Sequence, residues 1–377
     1  AVLYDNSYME KKTRICITGG HLTPAIAVID ELQKIHPRWE IMFIGRKYAL
    51  EQDTQVSREY HEVEKRGIPF FPIVAGRLRR DISLDSFLAL AKVPIGFIQS
   101  FWYILRQHPA CIFSFGGYIS LPVVFSGWLL GIPVMTHEQT HTLGLANRLM
   151  LPFISFCLLS YEDTKYAPLD KSHYTGLPIR KAIVHPSKTL SFAIPSGLPI
   201  IYITGGSTGA VSMNELLFPI IGSLVTHAVV IHQTGPNSIE KATKIKQDLP
   251  EKYRSRYIPV QYIDGIDIGW IMHHMSLLVG RSGGNTVAET ALVHKPALFI
   301  PLPWSGQNEQ EQNARWYEKI GVAYVADQEK ETPANIQKKI LTLLNGQKKN
   351  TSTTKIDDTA ATHIITYIEL LVADNEK

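Results

Sequence analysis

Arg14-Ile-Cys-Ile-Thr-Gly-Gly-His21 near one end and Ile200-Ile-Tyr-Ile-Thr-Gly-Gly-Ser207 past the middle read as the same device. Each is a short apolar run closed by Thr-Gly-Gly and followed by a helical pattern, Pro24 to Ile35 in the first case and Ser212 to Leu224 in the second. Strand, glycine turn and helix in that order open a parallel α/β sheet. Two such openings in one chain predict two doubly wound domains facing each other. Ligands of such sheets bind at the carboxyl ends of the strands, so a cleft between the halves is the expected site.

Apolar strands alternate with helical patterns along the rest of the chain. The first domain is expected over 1–174, with the boundary near Tyr174-Thr-Gly-Leu-Pro178, and the second over 175–345. A polar linker and an amphipathic final helix, Ala360 to Val372, occupy 346–377, and that helix is placed against the first domain. Pro109 to Thr136 lacks any charged residue, which raises the question of a membrane span. A span needs about 20 continuous apolar residues, whereas this stretch is broken by Gly116-Gly117, Pro122, Gly127, Gly131 and Pro133. It reads as strand Cys111–Phe115, helix Leu121–Leu130 and strand Pro133–His137.

The chain has 377 residues, 45% hydrophobic and 19% charged, which suits substantial cores in two domains. A net charge of +4 is too small to argue for nucleic-acid binding. Three unpaired cysteines, Cys16, Cys111 and Cys157, argue for a reducing compartment. The first twelve residues hold no apolar core of signal-peptide length, and Met9 is the expected natural start.

Glycine turns that open helices gather backbone N–H groups at the positive end of a helix dipole, which favours phosphate. Three occur: Gly19-Gly20, Gly205-Gly206 and Gly283-Gly284. None matches the P-loop or the full dinucleotide fingerprint. The third is the most informative, because Arg281-Ser-Gly-Gly-Asn-Thr-Val-Ala-Glu289 follows the strand Ser276–Gly280 and sets a carboxylate one turn into a helix. Glu289 there either accepts hydrogen bonds from ribose hydroxyls or is a solvated helix residue. His21 is either a base titrating near neutral pH or a helix-start histidine bonded to nearby backbone. His137 and Glu138 stand at a strand's carboxyl end, either touching a substrate or supporting the loop. Tyr118 either lines the cleft or packs against it.

These segments together resemble the MurG family, a group of GT-B transferases that add N-acetylglucosamine to lipid I in peptidoglycan synthesis. The matching residues are Thr18-Gly-Gly-His21, Pro24-Ala25, Phe115-Gly-Gly-Tyr118 with Ser120 and Pro122, and His137-Glu-Gln139. In the second half they are Gly176-Leu-Pro-Ile-Arg180, Gly205-Gly-Ser-Thr-Gly-Ala210, Tyr262-Ile-Asp264, Arg281 through Glu289, Gln310 and Asn313-Ala314. The resemblance covers Lys12 to Asp327.

It implies two Rossmann-like domains and inverting transfer from UDP-GlcNAc to the MurNAc 4-hydroxyl of lipid I, giving lipid II. It places the donor in the second domain, with the Ile263 backbone at the uracil, Glu289 at the ribose, and Arg180 and Ser207 near the diphosphate. Gly284, Asn285, Thr286, Val287, Ala288 and Gln310 complete that pocket, and Thr18, Gly19, Gly20 and Thr140 close over it. His21 is implied as the base, with Tyr118, His137 and Glu138 toward the acceptor. No Asp-x-Asp motif is present, so no protein-bound metal or other cofactor is expected, and magnesium would arrive with the donor diphosphate.

Arg77-Leu-Arg-Arg80 beside the apolar run Phe87 to Leu105 suits either an interfacial contact with anionic lipid or a solvated turn and a buried helix. The resemblance favours the former, a peripheral protein on the cytoplasmic side of the cell membrane, with other cell-wall enzymes as neighbours. Three departures stand out: Cys16-Ile17 where the family has further glycines, Thr140 where it has Asn, and Glu309 before Gln310. They leave room for a related transferase with another sugar or acceptor, for a catalytically weak membrane scaffold, and more distantly for a UDP-sugar epimerase.

Overall fold

Seven parallel strands make the first sheet. They are β1 (Arg14–Thr18), β2 (Glu40–Gly45), β3 (Phe70–Pro72), β4 (Cys111–Ser114), β5 (Val134–Glu138), β6 (Phe156–Leu159) and β7 (Ser172–Tyr174), in the order β3-β2-β1-β4-β5-β6-β7. Six more make the second: β8 (Ile200–Thr204), β9 (Val229–Gln233), β10 (Tyr257–Val260), β11 (Leu277–Gly280), β12 (Ala297–Phe299) and β13 (Ala323–Val325), in the order β10-β9-β8-β11-β12-β13. Both orders reverse beside the first strand of their half, at β1/β4 and at β8/β11, so each half is doubly wound and has its switch point there. The computed structural model describes residues 12–48, 56–74, 84–206, 209–263, 265–320, 323–346 and 359–375, with backbone alone for 84–93 and 307.

The chain forms two units. One comprises residues 12–139, 143–178 and 359–375 of the described chain, the other 140–142 and 179–346. β1, β2 and β4 read as nearly continuous apolar runs, and all of β5 is buried, because helices cover both faces of the sheet. The uncharged stretch 109–136 resolves into β4, the helix Ser120–Leu129 and β5. No helix among the described residues is long and apolar enough to cross a membrane. The helical run expected from Ser212 to Leu224 is instead broken into Val211–Leu217, a 3-10 turn Phe218–Ile220 and Ile221–His227. Pro219 is the cause, since it lacks the N–H that a continuous helix would use.

The C-terminal helix Ala360–Asn375 belongs to the first unit. Its apolar positions Ala361, Ile364, Ile365, Ile368 and Val372 recur at helical spacing and join the core that Ile26, Ile29 and Phe113 fill. His36 Nε2 lies 2.6 Å from Glu369 Oε1 at the margin of this contact. Ile368 is fully buried. Ile368→Ala should therefore lower unfolding free energy by about 2–5 kcal/mol in a urea titration, while Leu370→Ala, on the half-exposed side of the same helix, should leave it nearly unchanged.

Candidate active site

In the first unit the carboxyl ends of β1, β4 and β5 lie side by side. Chain leaves β1 through Gly19, whose φ of +144° disfavours a side chain, and a Cβ there would stand 2.7 Å from Phe115 Cβ. The turn after β4 leans on the same place: Gly20 N donates to Gly116 O at 2.9 Å, and Phe115 N to Thr18 O at 2.7 Å. Two glycine turns thus pack backbone against backbone. Thr18 Oγ1 is buried beneath them with no hydrogen-bond partner.

His21 follows as the N-cap of the helix Leu22–Ile35, and no side chain caps that helix. Its Nδ1 lies 2.7 Å from Nε2 of Gln139, the residue that follows β5. Burial lowers the His21 pKa from its ordinary value, and the Glu138 carboxylate opposes that shift. The imidazole is therefore neutral at neutral pH.

His137 and Glu138 are both buried. His137 Nε2 is 3.2 Å from the Gly176 carbonyl and from Ser160 Oγ, and burial pushes its pKa down to about 4. Glu138 Oε2 accepts from Gly144 N and Asn147 Nδ2, both at 2.8 Å. Asn147 also accepts from Thr136 Oγ1 and presses its amide under Gly116. The sequence left supporting and substrate-touching roles open for the pair, and these contacts hold both side chains in place at the end of the sheet. Tyr118 is partly buried with the Arg46 guanidinium 5.5 Å from its ring. Thr140 Oγ1 donates to Thr142 O at 2.7 Å.

The second unit repeats the device. Gly206 and Gly209 have φ of +79° and +75°, and a Cβ on Gly209 would meet Gly235 Cα and Thr234 O at 3.0 Å. Ser207 lies outside the described residues. Gln233 joins the neighbouring loops: its Nε2 donates to Gly206 O at 2.8 Å and its Oε1 accepts from Ile263 N at 3.3 Å.

After β11 the chain passes Arg281-Ser282-Gly283 into the helix Gly284–Leu292, two residues before the expected start at Thr286, with no side chain capping its first turn. The first hydrogen bond back to Gly283 is made by Val287 N, so the N–H groups of Gly284, Asn285 and Thr286 have no partner within the helix. Val287 and Ala288 are buried on its inner side. Gln310 Oε1 accepts from Leu302 N at 3.0 Å and its carbonyl accepts from Ser282 Oγ at 2.7 Å, which brings Gln310 beside this turn.

Arg180 and Glu289, assigned by the resemblance to the diphosphate and the ribose, are each other's partners. Arg180 Nε and Nη2 meet the two oxygens of Glu289 at 2.7 and 2.6 Å, and Glu289 is only 3% exposed. The solvated alternative for Glu289 is therefore wrong. A buried carboxylate requires such a partner, and the fork fixes both groups in one plane.

Sequence inspection did not assign roles to Gln139, Asn147, Gln233 and Arg281. Arg281 is buried and donates to the Ile300 and Pro301 carbonyls, Ser212 Oγ and Gln328 Oε1 at 2.6–3.0 Å. No carboxylate among the described residues pairs with it, and burial pushes its pKa down to about 10. Its place in the Arg-Ser-Gly-Gly run was the available signal.

An apolar face also lies on the first unit. Phe125, Trp128 and Phe153 pack ring against ring, with Phe97 edge-on to Phe125. Ile98, Trp128, Leu129 and Leu149 stand about half exposed or more beside them. Arg77 to Arg80 lie outside the described residues.

Two glycine-turned Rossmann units, each with an open helix N-terminus, define a protein that handles phosphorylated ligands. Residues 16–155 match the glycosyltransferase family 28 N-terminal domain, and residues 200–366 match the glycosyltransferase family 28 C-terminal domain. A Treponema denticola UDP-N-acetylglucosamine--N-acetylmuramyl-(pentapeptide) pyrophosphoryl-undecaprenol N-acetylglucosamine transferase is 35% identical over 82% of this chain and 81% of its own. The Clostridium botulinum (strain Kyoto) protein of the same name is 31% identical, over 90% and 93%. The chain belongs to glycosyltransferase family 28.

Among solved structures, Acinetobacter baumannii MurG aligns with a TM-score of 0.64 at 23% identity, over 95% of this chain and 99% of its own. The UDP-GlcNAc 2-epimerase of Neisseria meningitidis aligns as well, with a TM-score of 0.65 at 14% identity, over 95% and 100%. The fold alone is therefore shared by transferases and epimerases.

His232 in the second unit sits between Tyr257 Oη and Asn214 Oδ1 at 3.0 and 3.1 Å, and burial pushes its pKa to about 3. In the unfolded chain a histidine titrates near 6.5. Between that pH and about 4 the unfolded state binds the protons that folded His137 and His232 refuse, so stability falls as pH falls. Each contributes about 1.4 kcal/mol per pH unit across the window. The melting temperature should drop from pH 7 to pH 5, and His232→Gln should flatten that dependence.

Proposed function

We propose that this chain transfers N-acetylglucosamine from UDP-GlcNAc to the MurNAc 4-hydroxyl of lipid I, giving lipid II. The relatives that carry that activity in their names align over most of the chain. Within that frame the single observation that carries the chemistry is the place of His21, at the mouth of the first glycine turn with Nδ1 against Gln139; burial there favours the neutral ring. His21 Nε2 takes the proton of the acceptor hydroxyl as that oxygen attacks the anomeric carbon. The bond from that carbon to the diphosphate oxygen breaks, UDP leaves, and configuration inverts.

The second unit serves the donor. Its N–H groups at Gly284 to Thr286 meet the developing diphosphate charge without reorganising, which is where such donors count most. Arg180 adds a cation there while holding Glu289, whose remaining lone pairs take the ribose hydroxyls. The Ile263 backbone meets the base, Gln310 the sugar, and Thr18, Gly19, Gly20 and Thr140 the donor from their own turns.

The apolar face of Phe125, Trp128, Leu129 and Leu149 rests on the cytoplasmic membrane surface, where a lipid-linked acceptor is found. Amphipathic surfaces of this kind bind anionic bilayers without spanning them.

Transfer of labelled N-acetylglucosamine to a lipid I analogue should be robust for the native protein. It should fall by about 10²-fold or more in His21→Ala, with UDP-GlcNAc binding retained. Transfer undiminished in that variant would remove His21 as the base. Trp128→Glu with Leu129→Glu should release the protein from vesicles containing anionic phospholipid while transfer to a water-soluble acceptor analogue persists. Unchanged co-sedimentation would place the membrane contact elsewhere.

A further inference from the structure

His21 and Gln139 are 118 residues apart in sequence and meet because β1, β4 and β5 are neighbours in the sheet. The contact occupies Nδ1, so Nε2 is the ring nitrogen left for chemistry. Gln139 is 6% exposed, and its Oε1 is buried with no hydrogen-bond partner. The other titratable groups facing the ring, Glu138 and His137, come from β5 and are tied to Gly144, Asn147, Gly176 and Ser160.

An amide has two ends that do opposite things: its nitrogen only donates and its oxygen only accepts. With nitrogen against Nδ1, the ring proton resides on Nε2 and His21 is a donor. With oxygen against Nδ1, the ring donates Nδ1–H and the lone pair stands on Nε2. The ring nitrogen that is bonded thus decides what the other can do.

We propose that Gln139 is a positioning residue that sets the tautomer of His21, its amide oxygen accepting Nδ1–H so that the lone pair stands on Nε2. The inference rests on His21 as the base. The amide orients the ring without adding a second negative charge beside Glu138. With its oxygen against Nδ1, the amide gives that otherwise unpartnered buried oxygen a donor.

The test uses the full chain with ¹⁵N-labelled histidine and two variants. Gln139→Leu keeps the bulk and removes the hydrogen bond, and Gln139→Glu can only accept. With UDP and an acceptor analogue bound, the native His21 should show the Nδ1–H pattern of ¹⁵N shifts. Gln139→Leu should lose that bias and lower kcat by about 10-fold or more, with KM for UDP-GlcNAc nearly unchanged. Gln139→Glu should keep the Nδ1–H tautomer, recover much of kcat, and move the acidic limb of the pH profile to higher pH, because a carboxylate favours the protonated ring.

The inference is overturned if Gln139→Leu leaves both tautomer and kcat unchanged. It is also overturned if kcat falls while the tautomer stays, or if Gln139→Glu is no better than Gln139→Leu. Unchanged melting temperature and UDP binding identify folded variants. His21→Ala measured alongside separates the two failures. Undiminished transfer there removes the base itself, whereas loss in His21→Ala with none in the Gln139 variants removes only the positioning role.

Discussion

Two backbones pass each other in the first unit at a separation that side chains do not allow. Gly19 stands where a methyl carbon would lie within 2.9 Å of three Phe115 atoms, and Gly117 approaches Gly20 N in return. That approach fixes the exit of β1 against the exit of β4, and with it the start of the helix Leu22–Ile35. His21 is delivered to its place by this contact, since it is the next residue along. The second unit depends on an equivalent close pass, Gly209 against Gly235. In both units the crowded backbone leaves N–H groups at an uncapped helix start, and an anion is what such a start lacks.

The electrostatics of the second unit follow from burial. Glu289 is 3% exposed and is held by the Arg180 fork, and burying the pair costs desolvation that only good geometry offsets. Arg281 solves the same problem differently, by donating to two carbonyls and two side-chain oxygens. Its charge remains within the turn that precedes Gly283, and it braces the ends of β11 and β12 against the start of the helix Val211–Leu217. A site built this way is stiff, and stiffness is what lets fixed dipoles stabilise a leaving diphosphate without being rearranged by it.

Much of this was legible in the sequence because it is periodic or local. Apolar runs closed by Thr-Gly-Gly gave the strands and turns, and the spacing of Ile364, Ile365 and Ile368 gave a helix with one apolar side. What could not be read is what long loops bring together. Arg180 meets Glu289 across 109 residues and His21 meets Gln139 across 118, and no local pattern encodes either contact. The break at Pro219 was local and still missed, because a helical pattern continues on both sides of it. His137 and Glu138 illustrate a further limit: strand-end polar residues look alike in sequence whether they face a substrate or hold a loop.

The fold itself does not choose the reaction, since epimerases align with it as well as a transferase does. On the proposed function, the choice lies in what the first unit offers beside its turn. His21 sits at the positive end of a helix dipole and in a largely buried place, and both disfavour the imidazolium. Glu138 pulls the other way, so the ring remains a neutral base that can still hold a proton once it has taken one. A carboxylate bonded directly to Nδ1 would tip that balance toward the protonated ring and move the working range of the base to higher pH. An amide in that position orients the ring and leaves the balance to the dipole and to Glu138, and that is the residue type that follows β5.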